Sequence, residues 1–462
     1  MREVELPPRI TGQDAFELGK RLRKDVPRSE QGEYSPAVNR DPIAILEQQN
    51  DQRLRDLVPV RIGRMLESPF AFYRGAAGPM ASDLSAGAWS GLMVIGCGDA
   101  HVGNFGLFAA PDRRVVFDLN DFDEASNCPW EWDVKRMACS IEVGCRDNGI
   151  SADNTRDAVL ASVREYRERM NELWQQSALD RYYFRVDYEL LMERIKGSKQ
   201  RKAIDRGVTK ARRRTSERVL EKITTEGPEG QARIIAQPPI LQRVDGYEDR
   251  VKNILDRYSG TLRPDLALLL SQFTVIDYAL RVVGVGSVGT RCFIVLLTGP
   301  TGTPLFLQLK EAVPSVLETY GGIKNRPLPG LGEQDSHMAG YRVVSCQQTL
   351  QGASDPFLGW ARGDLGFDYY VRQFKDMKGS VDLASLRAKP FRNYGRLCAT
   401  LLARAHSQSP GAAGIAGYLG KSDSFDKAIA NWCREYANQV ERDFVELERS
   451  VKTGRLPAET GV

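Results

Sequence analysis

The run Gly284-Val285-Gly286-Ser287-Val288-Gly289 lies between two apolar stretches, LRVV before it and TRCFIVLLTG after it. Glycines at this spacing let backbone N–H groups approach an anion closely, because no Cβ stands in the way. A dinucleotide-binding unit would need a helix to open at the last glycine. Here the residues that follow are β-branched and aromatic, so the pattern predicts strand, glycine turn, strand. The pattern disfavours a dehydrogenase-type unit and indicates a β region in the second half of the chain. One strand later, LFLQLKEA sets Lys310 among apolar residues. A lysine inside a buried strand is costly unless an anion pairs with it, the alternative being a solvated strand face.

A second constellation lies far upstream. The apolar run WSGLMVIGCGD predicts a buried strand ending in the turn Gly98-Asp99-Ala100-His101-Val102-Gly103-Asn104. An aspartate followed five residues later by an asparagine supplies, within one loop, a carboxylate to orient an acceptor hydroxyl and an oxygen ligand for a hard cation. A hairpin is predicted next, NFGLFA and VVFDLND around the turn PDRR, and its return strand runs into FDLNDFDEA. There Asp118, Asp121, Asp123 and Glu124 crowd together and repel one another unless a cation or a base offsets them. Their position beside the Asp99–Asn104 loop favours a metal site over an acidic surface turn.

GDAHVGN resembles the catalytic loop of aminoglycoside and choline phosphotransferases, whose pattern is His-Gly-Asp-x-His-x-x-Asn; Cys97 stands where that family has its first histidine. VVFDLNDFDEA resembles their metal-binding segment, and WDVKRMA the helix start after it. The resemblance implies a kinase-like site for ATP and Mg²⁺. It implies Asp99 as the base, Asp121 as the principal magnesium ligand with Asn104 as a further one, and Asp118 or Asp123 assisting. Gly284, Gly286, Ser287 and Gly289 cradle the phosphates, and Lys310 grips them with a helix glutamate as partner, for which Glu318 and Glu333 are candidates. In kinases the glycine-rich loop precedes the catalytic loop; here it follows. GRLCATLLARAH resembles the helix leading into the catalytic loop, yet lies near the C-terminus. The expected fold is therefore α+β and two-lobed, protein-kinase-like in circularly permuted order, with a small antiparallel β lobe and a larger helical lobe. Its expected parts are an N-terminal helical extension (1–60), a catalytic-loop region (61–275), a glycine-loop β region (276–378) and a returning helical region (379–462). Over about Arg61 to Leu447 the chain is similar to the bacterial domain of unknown function 2252 family, through SPFAFYRGAA, CGDAHVGNFG, FDLNDFDEA, PWEWDVKR, DPFLGW, YYVRQFKDMKG and IAGYLGKSD.

A length of 462 residues exceeds what one core usually organises, and 42% hydrophobic with 27% charged residues is ordinary for a globular protein. The N-terminus has no secretory pattern and no apolar run is long enough to cross a membrane, so a cytoplasmic protein is expected. Eight scattered cysteines without a CxxC pair read as buried thiols. Between Arg194 and Lys222 lie twelve Lys/Arg and three acidic residues, which reads as a solvated helical insertion or as a phosphate contact. Aromatic residues are not interleaved there, which makes nucleic acid an unlikely partner. Arg74, in the aromatic patch FYRG, pairs with a phosphate or an acidic neighbour. The expected partners are a nucleotide and a small-molecule or protein acceptor. Nucleotidyl (AMP) transfer at the same residues and non-catalytic nucleotide binding are the alternatives to phosphoryl transfer.

Overall fold

The computed structural model describes residues 3, 10–37, 39–189, 198–227, 230–244, 246–282, 284–324, 337–374 and 377–461. Its strands are β1 (Met93–Gly96), β2 (Phe105–Ala109), β3 (Val115–Leu119), β4 (Ser126–Pro129), β5 (Thr224–Glu226), β6 (Ala232–Ile234), β7 (Leu241–Gln242), β8 (Thr274–Arg281), β9 (Cys292–Thr298), β10 (Pro304–Ala312), β11 (Gly359–Arg362), β12 (Asp368–Gln373) and β13 (Gly379–Ser380). The fold is mixed α+β with small antiparallel sheets. The predicted hairpin forms from β2 and β3, in register from Phe105–Leu119 to Ala109–Val115. The predicted buried strand is β1, and its partner is β4. The aromatic patch in SPFAFYRG is itself a helix, Pro69–Gly75, capped by Ser68 Oγ accepting from Ala71 N at 3.1 Å.

The glycine run joins β8 to β9 in a six-stranded antiparallel sheet of order β11-β12-β10-β9-β8-β7. Period-two alternation decides which side chains meet the rest of the molecule. Phe293, Val295 and Leu297 of β9 pack with Leu305, Leu307 and Leu309 of β10 under Val251, Leu255 and Tyr258 of the helix Glu248–Ser259. The opposite face carries Ile294, Leu296 and Phe306 against Val219 and Ile234. Gln308 and Lys310 continue the face of Phe306, and Lys310 stands opposite Tyr370 of β12.

The largest core is helical. Every residue from Trp130 to Cys145 in the helix Trp130–Asp147 is buried, enclosed by the helices Ala152–Leu173, Ala388–His406 and Ser424–Lys452. The N-terminal helix Gly12–Asp25 lies on Ala412–Leu419, where Gly19 meets the Gly414 carbonyl with no room for a Cβ. Within the basic segment, residues 194–197 lie outside the described residues. Farther along, Arg206, Lys210, Arg212 and Arg213 are exposed, while Arg214 donates to the Lys378 carbonyl at 2.5 Å. All eight cysteines are buried and unpaired. Among the described residues, no helix is long and apolar enough to cross a membrane.

Candidate functional site

One cleft is walled by the loop after β1, the acidic turn after β3, the glycine turn and the end of β10. Asp99, Asn104, Asp121, Asp123, Gly284, Gly286 and Ser287 all line it. Its first wall hangs from a buried anchor. Asp133, in the first turn of Trp130–Asp147, accepts from Cys97 N at 2.6 Å and Gly98 N at 2.9 Å. His406 Nε2 lies 3.2 Å from the same carboxylate, and the Tyr166 hydroxyl is 2.7 Å from His406 Nδ1. Gly98 has φ +74° and passes so close to the Glu124 carbonyl that only glycine fits.

Asp99 follows on this fixed turn. Its Oδ1 accepts from Arg136 Nε at 2.8 Å, an arginine one helical turn beyond Asp133. Asn104 Nδ2 donates to the Asp99 carbonyl at 2.8 Å and lies 3.5 Å from Oδ2. Burial, with Arg74 and Arg136 nearby, pushes His101 well below its ordinary pKa, so its ring is neutral. Its Nδ1 accepts from Gly103 N at 3.1 Å, which puts the proton on Nε2, 3.7 Å from Asp99 Oδ2.

The four acids of the turn separate into different duties. Asp118 is not part of the cleft. Its Oδ1 accepts from Leu119 N at 2.9 Å and its Oδ2 from Gly352 N at 2.8 Å, so both oxygens brace backbone and the structure does not bring Asp118 to the other acids of the cleft. Asp123 takes the Lys310 ammonium, the Tyr370 hydroxyl at 2.7 Å and Ser287 Oγ at 3.0 Å. Burial alone would raise its pKa, but Lys310, through charge and hydrogen bond, and Tyr370 hold it at about 2. Glu124 accepts from Val316 N at 2.7 Å, and burial pushes its carboxyl up to about 7. Asp121 is different. With 38% of its side chain open, its Oδ1 is nevertheless covered and has no hydrogen-bond partner, and Lys310 stands 3.8 Å away. Burial and then the Asp123 charge raise its pKa.

Lys310 is 2% exposed, so the solvated alternative fails. Burial would lower its pKa, but Asp121 and Asp123 raise it and keep it charged. Its acidic partner is Asp123. Glu318 lies instead 3.8 Å from Arg342, and Glu333 is outside the described residues. Among the glycines, Gly284 (φ +68°) accepts from Arg64 at 2.6 Å. Gly289 (φ +90°) does not line the cleft; its carbonyl is held by Leu54 N at 2.8 Å, and a Cβ there would crowd Arg53.

No group of three or more His, Cys, Asp or Glu side chains that could hold a metal ion occurs among the described residues, and Arg136 and Lys310 pair with two of the carboxylates. Magnesium does not require such a cage; it is commonly held by one or two carboxylates together with phosphate oxygens and waters. Asp121, whose Oδ1 accepts no hydrogen bond, and Asn104 both line the cleft and fit that coordination.

Sequence reasoning missed Arg53, Arg136, Tyr370 and His406. Arg136 sits inside the quoted WDVKRMA, where a cation on an apolar helix was a usable signal; Arg53 lies in a polar stretch that offers none.

The chain matches, over residues 53–450, the family described as an uncharacterized protein conserved in bacteria (DUF2252), and it belongs to that family. No curated protein and no solved structure matches it.

Proposed function

We propose that this cleft is the ATP- and Mg²⁺-dependent site of a phosphotransferase that moves the γ-phosphoryl group to a hydroxyl of a small molecule or a protein. The observation that carries the proposal is the meeting, in one cleft, of the Asp99–Asn104 loop, the Asp121 oxygen that accepts no hydrogen bond and the glycine turn. Bound magnesium would offset phosphate charge there. Asp121 and the Asn104 Oδ1, left over when Nδ2 donates to Asp99, are its ligands. Asp99 Oδ1 is committed to Arg136, so Oδ2 orients the acceptor hydroxyl and receives its proton. Backbone N–H groups of the glycine turn face the phosphates.

The accompanying fold proposal is a permuted kinase-like arrangement with the part boundaries given above. Its support is a glycine turn between two neighbouring antiparallel strands, a lysine on the next strand, and a following helix Ala339–Leu350 before the sheet resumes. That helix has no acid; its Arg342 donates instead to the carbonyls of Asp123 at 2.9 Å and Val313 at 2.7 Å. The test is incubation with ATP labelled at the γ- or the α-phosphate, with and without Mg²⁺, across an acceptor panel. Transfer of the γ-label supports the proposal, and transfer of the α-label alone replaces it with AMP transfer. Absence of Mg²⁺-dependent ATP binding ends both.

A further inference from the structure

Two arginines line the cleft beyond the residues assigned so far. Arg53 enters from the turn after the helix Pro42–Asp51, and Arg74 from the last turn of Pro69–Gly75. The Nε of each is covered from solvent and has no hydrogen-bond partner among the described residues. Arg53 reaches the Val288 carbonyl through Nη1, and Arg74 Nε lies close to Gly103 in the loop of Asp99. Burial pulls both below their ordinary pKa, with Asp99 and Asp121 opposing it at Arg74, and Glu124 and Asp123 at Arg53. A guanidinium stays charged even so, and a covered one whose acidic neighbours make no direct ion pair with it gains when an anion arrives.

The charges of the cleft sort into pairs. Asp99 holds Arg136, Asp123 holds Lys310, and Glu311 holds Arg291 at 3.1 Å. Asp121 is only 3.8 Å from Lys310, which Asp123 holds more closely, so Asp121 and Glu124 on one side and Arg53 and Arg74 on the other lack a close partner of opposite charge among the described residues. A lone anion would satisfy the arginines and crowd the acids; a lone cation would do the reverse. A metal–polyphosphate complex satisfies both.

We infer that Arg74 and Arg53 form the polyphosphate grip of this cleft, Arg74 at the end near Asp99 and Arg53 at the end near Glu311. Lys310 then holds Asp123 and does not touch the ligand. This inference rests on the magnesium–nucleotide proposal for the identity of the polyphosphate, while the anion chemistry is tested separately. Calorimetry on the full chain with inorganic tripolyphosphate and with ATP, each with Mg²⁺, compares wild type with Arg74→Gln and Arg53→Gln. The expected result is binding by wild type and a loss of at least about tenfold in each variant. Melting temperature is read alongside, and Arg74→Lys and Arg53→Lys, which keep the charge and lose the fork, serve if the glutamine variants do not fold; at least about threefold weakening is expected of them. Tripolyphosphate binding without ATP binding, lost in the variants, upholds the grip and refutes the nucleotide. ATP binding unchanged in every variant that folds overturns the grip and spares the nucleotide. Binding of neither by wild type overturns both.

Discussion

The two walls of the cleft are built in opposite ways. The Asp99 wall is fixed from behind: Asp133, 1% exposed, clamps two backbone N–H groups, and His406 and Tyr166 stand behind it in the helical core. The glycine wall is tied from its edges, by Arg64 to Gly284, by Leu54 to Gly289, and by Ser287 Oγ to Asp123. Buried hydrogen bonds to a charged acceptor are costly to lose, whereas an exposed one such as that from Arg64 to Gly284 exchanges with water at little cost. The difference assigns chemistry to a preorganised wall and ligand admission to an adjustable one.

The largest expected effect lies on the rigid wall. Asp99→Asn retains shape but cannot take a proton, so transfer should fall by roughly 10²–10⁴ while ATP–Mg²⁺ affinity changes by less than about threefold. Arg136 loses the charge it pairs with, so a stability loss of about 1–3 kcal/mol should accompany it. Turnover beside nucleotide calorimetry checks the first expectation and urea unfolding the second. Intact transfer would take the base role from Asp99. Next in size is Asp133→Ala. It strands the N–H groups of Cys97 and Gly98 in the core and should cost about 3–5 kcal/mol. A loss under about 1 kcal/mol in urea unfolding would mean that the wall is not anchored there.

How legible these walls were in the sequence follows from the range of the interactions that make them. The hairpin β2–β3 and the glycine turn were legible because period-two apolar runs and turn residues act locally. The strand β4, SNCP, was not: it is short, polar and ends in proline, and it becomes a strand only by pairing with β1. The helix Pro69–Gly75 was legible in its cap, since Ser68 and Pro69 form a standard helix start, but not in its aromatic run, which has no helical period of its own. Of the clustered acids, spacing placed the group but did not rank its members. Asp118 and Asp123 differ through partners at Gly352, Lys310 and Tyr370, all more than one hundred residues away. Arg53 and Arg74 enter the cleft through the same long-range packing.

A subtler probe is pH, because the rigid scaffold contains a carboxyl under strain. Glu131 is 0% exposed, its Oε1 accepts from Ser90 N at 2.7 Å, and burial pushes its pKa up to about 7. A folded pKa above the unfolded value of about 4.3 means that ionisation opposes folding, so stability falls as pH rises between those values. Glu124, also about 7, adds a slope of the same sign. Asp123, at about 2, contributes stability that is lost only in more acidic solution, below its unfolded value of about 3.9. Glu131→Gln should therefore gain on wild type by about 1–3 kcal/mol on going from pH 5 to pH 7.5. Parallel stability curves for the two proteins would show that Glu131 does not titrate in this window.

The smallest effect belongs to the adjustable wall, and its smallness is the point. Ser287→Ala removes one hydrogen bond to Asp123, which keeps Lys310 and Tyr370. The loss of stability should stay below about 1 kcal/mol, because the remaining donors still satisfy the carboxylate. If Ser287 is a tie that holds the glycine turn down, amide hydrogen exchange at 284–290 should quicken while exchange at 97–104 stays as in wild type. The turn would then open more readily, and ATP affinity should move by no more than about threefold, since one net hydrogen bond is at stake. Exchange unchanged at both walls would leave the turn held by Arg64, Leu54 and Arg53. Faster exchange at 97–104 as well would mean that the two walls move as one body, and the contrast between them would fall.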